Sequence, residues 1–107
     1  MKTAAALALP LALVLTGVAH ADTITKERFG CHTMAVTERL FQLVQAGDES
    51  GFDQLLKGSL AGGECKAWKK GDEVRLDTHS QGYACLAPTA TQDTCYWTPI
   101  SAIDPDK

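Results

Sequence analysis

The sequence has few groups that could bind a metal ion or carry out catalysis. The chain has three histidines, and only His32 and His79 lie outside the N-terminal 21 residues. The four cysteines form no C-x-x-C pair. The missing pair excludes the common zinc, haem c and thioredoxin-like motifs, which depend on that spacing. No Gly-rich phosphate loop precedes a helix, because Gly62 and Gly63 follow one. We therefore expect no catalytic residues, no metal and no cofactor.

Basic residues are also few. The chain has ten Lys and Arg against thirteen Asp and Glu, and removal of Lys2 with the N-terminal segment leaves nine against thirteen, a formal charge of −4. The only basic pair is Lys69 and Lys70, whereas phosphate binding needs clustered Lys and Arg. The sequence thus predicts no nucleic-acid partner. A cationic protein partner is compatible with this charge, and so is the absence of any charged partner.

The first 21 residues have the pattern of a cleavable secretory signal. Lys2 gives a positive start, residues 4–15 are uncharged and apolar, and residues 19–21 read Ala-His-Ala, which matches an A-x-A cleavage site. A membrane-spanning helix needs about 20 apolar residues, more than this run contains. We expect a signal peptide over residues 1–21 and a mature protein of residues 22–107, periplasmic or secreted, with no membrane insertion after cleavage.

Four cysteines in an exported chain of this size predict two disulfides, for which the sequence alone permits three connectivities. Cys85 and Cys95 flank a turn-rich segment between two β-prone runs, which favours a link across a hairpin. Cys31 is then left to pair with Cys65. From chain entropy, closing the longer loop contributes roughly 3 to 4 kcal/mol and closing the shorter one roughly 3 kcal/mol or less.

Residues 31–63 show the periodicity of two amphipathic helices. The first helix has an apolar face and, on its opposite side, a polar face. The apolar face holds Val36, Leu40, Leu43 and Val44, and the polar face holds Thr37, Glu38, Arg39, Gln42 and Gln45. The apolar positions of the second are Phe52, Leu55, Leu56 and Leu60. Gly47 is suited to end the first helix and Asp48 to cap the second, which predicts a tight antiparallel pair.

After residue 63 the period changes to two. Residues 73–77 alternate strictly and place Val74 and Leu76 on one face of a half-buried strand. Further short strands are expected at residues 65–68, 83–87 and 94–98, and residues 100–103 could add another pairing. Residues 22–29 show no clear periodicity and predict an extended or frayed arm. The expected fold is a single α+β domain: an N-terminal helical hairpin, residues 31–63, followed by a small antiparallel β-barrel, residues 64–104.

The segment from Lys69 onward resembles the bacterial SH3-like domains of the SH3b type, which occur in cell-envelope proteins. The matching features are Lys70-Gly71-Asp72-Glu73-Val74 at the start of one strand, Gly82-Tyr83 at the start of the next, and Tyr96-Trp97 near the end. The resemblance covers about 35 of the 86 residues of the expected mature chain. It implies an SH3-like barrel after the helical pair and, as one function, the binding of a cell-wall (peptidoglycan) peptide.

The aromatic residues Trp68, Tyr83, Tyr96 and Trp97 are the one constellation that could serve binding, since Tyr and Trp are enriched in interface hot spots. A small core also needs large side chains, and alternation puts one of Tyr96 and Trp97 inside, with Trp97 on the same face as Cys95. The leading hypothesis is a non-catalytic exported binding module of the inhibitor or immunity type, acting on an envelope protein. The alternatives are a module that binds a cell-wall peptide and a small exported enzyme, for which Asp77, His79 and Ser80 lie near one turn.

Overall fold

Two helices and six short strands make up residues 21–104, the part of the chain that the structure, a computed structural model, describes. In chain order the elements are β1 Ala21–Thr23, β2 Phe29–Cys31, α1 Met34–Gln45, α2 Glu49–Ala61, β3 Cys65–Ala67, β4 Glu73–Ser80, β5 Tyr83–Pro88 and β6 Tyr96–Pro99, with a 3-10 helix at Ile100–Ala102. The fold class is α+β. Residues 1–20 of the predicted signal and residues 105–107 lie outside the described residues.

The six strands form one antiparallel sheet in the order β1-β4-β5-β6-β2-β3. The longest pairing is the β4–β5 hairpin, which turns at Gln81 and Gly82 with φ angles of 53° and 86°. Positive φ at both positions matches the twist of a tight hairpin. This hairpin lies between β1 and β6 in the sheet.

The predicted order of elements is wrong, because the helical pair is not N-terminal to the sheet. β1 and β2 precede α1, and the chain between them continues along the sheet: the amide of Ile24 donates to the Asp72 carbonyl, and the amide of Trp68 donates to the Arg28 carbonyl. The predicted helical hairpin followed by a barrel is replaced by a six-stranded sheet into which the helices are inserted. Strands of three residues carry no measurable period, so only their distant partners reveal them.

One further expectation fails at the C-terminal end of the predicted sheet. At its N-terminal end, Ala21, the last residue of the predicted signal, begins β1 opposite Arg75. Ile100–Ala102 forms a 3-10 helix instead of a strand, with the amide of Ile103 donating to the Ile100 carbonyl. Pro99, which has no amide hydrogen to give to a partner strand, ends β6 directly before this turn.

The predicted helices are present, with the expected caps. Gly47 has φ of +72° after α1, and the Asp48 carboxylate accepts from the amide of Gly51 at 2.9 Å at the start of α2. The phase of α1 differs from the prediction, because Val44 is 52% exposed while Thr37, assigned to the polar face, is fully buried. The side-chain hydroxyl of Thr37 reaches the sheet and donates to a backbone carbonyl, which compensates its burial.

The hydrophobic core consists of two clusters on opposite faces of the sheet. The helices cover one face, where Leu40 packs with Cys31 and Cys65 and with the half-buried Phe29, Val36, Phe52, Leu55 and Leu56. The other face holds a second cluster of seven buried side chains: Ile24, Trp68, Val74, Ala84, Leu86, Tyr96 and Ala102. Alternation along β5 explains the division, since successive side chains of a strand point to opposite faces.

Two disulfides tie these elements together. Cys31 of β2 is bonded to Cys65 directly opposite on β3, and Cys85 of β5 is bonded to Cys95 just before β6. These are the pairs that the spacing predicts, and no free cysteine remains within residues 21–104. Fully paired cysteines are compatible with an oxidising compartment. Neither helix of residues 21–104 is long and apolar enough to cross a membrane.

Candidate binding site

Two of the four aromatic residues predicted to serve binding belong to the core. Trp68 is 2% exposed and Tyr96 is 8% exposed, and their rings meet edge to face with centroids 5.8 Å apart. The indole Nε1 of Trp68 donates to Thr98 Oγ1 at 2.9 Å, so the polar edge of this ring is also satisfied inside the protein. These side chains stabilise the sheet and present little surface to a ligand.

Trp97 and Tyr83 lie on the face of the sheet that the helices cover. Both are half-buried, and the register places Trp97 opposite Cys85, two residues after Tyr83 on β5. The backbone carbonyl of Trp97 accepts from the Thr37 hydroxyl at 2.8 Å, which fixes β6 against α1. The structure therefore separates the predicted aromatic set into one buried pair and one pair beside α1.

Tyr83 ends a row of aromatic rings that runs along the helix face. Its ring centroid lies 6.2 Å from that of Phe41 on α1, at an interplanar angle of 60°. Phe41 lies 5.5 Å from Phe29, which in turn lies 5.7 Å from Phe52 on α2. Edge and tilted contacts at these distances are favourable for aromatic pairs. They hold the Tyr83 and Phe41 rings in place while leaving each ring partly exposed.

A surface groove opens where Tyr83 meets α1. It measures about 300 Å³ and is lined by Glu38, Phe41, Gln42, Gln45 and Tyr83. The four α1 residues are spaced at i, i+3, i+4 and i+7, so they form one face of the helix. We call this feature the Tyr83 groove. It combines two aromatic rings, two amides and one carboxylate.

The carboxylate and the hydroxyl of the Tyr83 groove have no partner within residues 21–104. Glu38 forms no ion pair there, and the Tyr83 hydroxyl forms no hydrogen bond there. Burial raises the pKa of Tyr83, and the nearby negative charge of Glu38 raises that pKa further. The hydroxyl is therefore protonated at neutral pH, and both polar groups are available to a ligand.

Three other cavities are less suited to a specific ligand. The largest, about 460 Å³, holds no aromatic ring and contains both Arg39 and Asp48, charges of opposite sign. A cavity of about 250 Å³ lies at the turn between the helices, where Asp48, Glu49 and Asp53 surround a small apolar floor. The third, of about 280 Å³, lies over the edge of the buried Trp68. Of these four cavities of residues 21–104, the Tyr83 groove is the one that combines half-buried rings from two elements with unpaired polar groups.

The residues considered for catalysis do not come together. Asp77 is paired with Arg75 at 2.8 Å, and His79 and Ser80 are consecutive on β4, so their side chains point to opposite faces. His32 stacks on the Tyr96 ring at 4.0 Å, and its Nδ1 lies 3.0 Å from a backbone carbonyl. Within residues 21–104 no group of three His, Cys, Asp or Glu side chains is arranged to hold a metal ion.

The sequence-based interpretation missed Phe41 and did not use Glu38 for binding. The sequence did contain an indication of Phe41, because this aromatic residue lies on a helix face whose other residues are polar: Glu38, Gln42 and Gln45. Such an aromatic residue on a polar face packs against another element or binds a ligand, and here it does the first in part. Its partner, Tyr83, is 42 residues further along the chain, so spacing alone does not connect them.

Comparison of the chain with protein-family models, with curated proteins and with solved structures finds no match in any of the three.

Proposed function

We propose that the protein is a non-catalytic binding module, exported to the periplasm or secreted, that acts on a protein partner in the manner of an inhibitor or immunity protein. The observation that carries the proposal is the Tyr83 groove. Two half-buried aromatic rings from different elements flank it, and its carboxylate and hydroxyl have no partner within residues 21–104.

The scaffold around the groove supports this proposal. Phe41 is presented by α1, which the hydrogen bond from Thr37 fixes to β6. The Cys31–Cys65 disulfide joins β2 to β3, the strands before and after the helical pair, with a sequence separation of 34. A pre-organised surface loses little conformational freedom on binding, so a larger part of the contact energy remains as affinity. Partly exposed tyrosine on such a surface is typical of interface hot spots.

Capture of a partner by the exported protein tests the proposal. The full chain is expressed with its own N-terminal segment, purified, immobilised and exposed to periplasmic extract, with bound proteins identified by mass spectrometry. Tyr83→Ala and Phe41→Leu should each reduce capture of the same protein at least tenfold while the variants keep the wild-type far-ultraviolet circular dichroism and a cooperative thermal transition. Phe41→Leu retains apolar volume, so it keeps the test valid if Tyr83→Ala unfolds.

Leu60→Ala is the matched control, because Leu60 is an exposed apolar residue on α2 that does not line the groove. Its capture should equal that of the wild type. Sedimentation with purified cell wall runs in parallel and tests the peptidoglycan alternative, which rests on the SH3b resemblance. Capture that is insensitive to Tyr83→Ala and Phe41→Leu in folded proteins, or cell-wall binding without protein capture, would contradict the proposal.

A further inference from the structure

The chemistry of the Tyr83 groove restricts what can enter it. Its walls are the Tyr83 and Phe41 rings, tilted by 60° at a centroid distance of 6.2 Å, and its polar groups are a carboxylate, two amides and the Tyr83 hydroxyl, each of which can accept a hydrogen bond. Aromatic faces carry partial negative charge and attract cations, most strongly where water is partly excluded. The Glu38 carboxylate at the same groove adds a full negative charge.

No cation of the described chain neutralises this groove. Arg39 follows Glu38 directly but lines the cavity on the other side of α1, with Asp48 and Gln54. Arg75 is paired with Asp77 on the same strand, β4. An anionic or neutral ligand would leave the carboxylate unpaired, whereas a cation pairs with it, and the acidic balance of the chain favours a cation at longer range.

We infer that the Tyr83 groove receives an arginine side chain projecting from the protein partner, with its guanidinium stacked on the Tyr83 and Phe41 rings and paired with the Glu38 carboxylate. This inference rests on the proposed function and names the chemistry that the partner must supply.

Arginine fits this groove better than lysine for two geometric reasons. A guanidinium is planar, so it can lie against an aromatic face, and its five N–H donors can serve a carboxylate and side-chain amides together. The oxygens of Glu38, Gln42 and Gln45 provide acceptors along one helix face. A lysine ammonium is a strongly hydrated point charge that gains less from a flat ring.

Small-molecule probes test the inference without knowledge of the partner. The ¹H–¹⁵N spectrum of the exported protein is titrated with N-acetyl-arginine N-methylamide, with the corresponding lysine derivative and with the citrulline derivative, which is a neutral isostere of arginine. We expect the arginine probe to shift the backbone amides of residues 38–45 and of Tyr83, with millimolar affinity because a single side chain supplies few contacts. Lysine should bind more weakly, and citrulline roughly tenfold more weakly than arginine.

Two variants and one control identify the groups involved. Glu38→Gln removes the charge without changing the shape and should weaken the arginine probe roughly tenfold. Phe41→Leu should weaken it by removing one aromatic face. Asp53→Asn, which neutralises an exposed carboxylate of another cavity on α2, should leave the affinity unchanged. A bound guanidinium should also lower the pKa of Tyr83, since a positive charge favours the phenolate.

Each alternative result overturns the inference. Absence of shifts at residues 38–45, equal binding of citrulline and arginine, tighter binding of lysine, or equal effects of Glu38→Gln and Asp53→Asn would each exclude a specific arginine site. The failure is distinguishable from that of the binding module. If partner capture depends on Tyr83 but is unaffected by Glu38→Gln, the binding-module proposal is retained and the arginine inference fails. If the arginine probe binds but no partner is captured, the groove binds arginine and the binding-module proposal fails.

Discussion

Thr98 and Trp68 are joined by a buried hydrogen bond in which the indole Nε1 donates to the Thr98 hydroxyl oxygen at 2.9 Å. The same hydroxyl donates onward to the Tyr96 carbonyl at 3.0 Å. This relay gives the Trp68 indole and the Thr98 hydroxyl hydrogen-bond partners inside the core, and it connects β6 to the segment after β3. It also explains the glycine at position 30, since a side chain there would occupy the place of the Thr98 hydroxyl.

Gly30→Ala should destabilise the protein. A β-carbon at this position would overlap Thr98 Oγ1 and lie 3.0 Å from the Trp97 carbonyl oxygen, so β2 and β6 would have to separate. Overpacking of this kind costs about 1 to 3 kcal/mol in the free energy of unfolding, which urea denaturation measures. Gly58→Ala is the control: a β-carbon at this position of α2 would have no neighbouring atom within 4 Å, and the change should stabilise by about 0.5 to 1 kcal/mol. Equal behaviour of the two variants would show that Gly30 is not sterically required.

Thr37→Ala should cost about 1 to 3 kcal/mol in the free energy of unfolding, because it removes the hydrogen bond that the fully buried Thr37 donates to the Trp97 carbonyl. This reverses the expectation from the sequence, in which Thr37 lies on the polar face. Thr37→Ser keeps the hydroxyl and should retain most of the stability. Gln42→Ala, an exposed position of the same helix, should change stability by less than about 0.5 kcal/mol. A Thr37→Ala variant as stable as Gln42→Ala would refute the contact.

The two disulfides should differ in their contribution to stability. Replacing Cys31 and Cys65 together by Ala opens a loop with a sequence separation of 34, against 10 for Cys85 and Cys95. From chain entropy the losses are about 3.8 and about 2.8 kcal/mol, and thermal unfolding of the two double variants should follow that order. On heating, the Cys31–Cys65 double variant should also lose partner capture at a lower temperature than the Cys85–Cys95 double variant. The reason is that the Cys31–Cys65 bond closes the loop containing α1, which lines the groove. The opposite order would mean that strain or residual structure outweighs loop length.

Glu38→Gln should lower the pKa of Tyr83 without returning it to its ordinary value, because burial is the larger cause of the rise and the Glu38 charge the smaller. Spectrophotometric titration of the tyrosines measures this. Tyr96, whose pKa is raised by burial and then by Asp93, should be unaffected. The pKa of such a tyrosine is higher in the folded than in the unfolded protein. Its contribution to the free energy of unfolding is therefore fully present below the unfolded pKa and is lost as the pH rises through the folded pKa, so the stability of the protein should fall at alkaline pH. An unchanged Tyr83 titration would place Glu38 away from the groove.

Local patterns of the sequence predicted much of the secondary structure. The period of 3.6 indicated both helices, and Gly47 and Asp48 marked the turn between them, because backbone conformation and capping are decided within a few residues. The strict alternation from residue 73 indicated β4 for the same reason. Cysteine spacing predicted both disulfides. The SH3b resemblance stays a prediction, since no comparison supports or excludes it.

The N-terminal strands show where local patterns end. β1 and β2 have three residues each, and their formation depends on β4, β3 and β6, which are 34 or more residues away in the chain. No pattern in residues 22–29 predicts which strands they pair with. The order of elements in the predicted fold was wrong for this reason.

The sequence by itself determined the local features of this protein: the helical and strand periods, the caps, the cysteine pairs, and an acidic chain with few catalytic groups. Tertiary structure decided which groups became accessible. It buried Thr37, Trp68 and Tyr96, and it brought Tyr83 against Phe41 and Glu38. The physical reason is that a helix phase or a strand face is chosen by the total area buried against distant elements, which outweighs the local preference of any single residue.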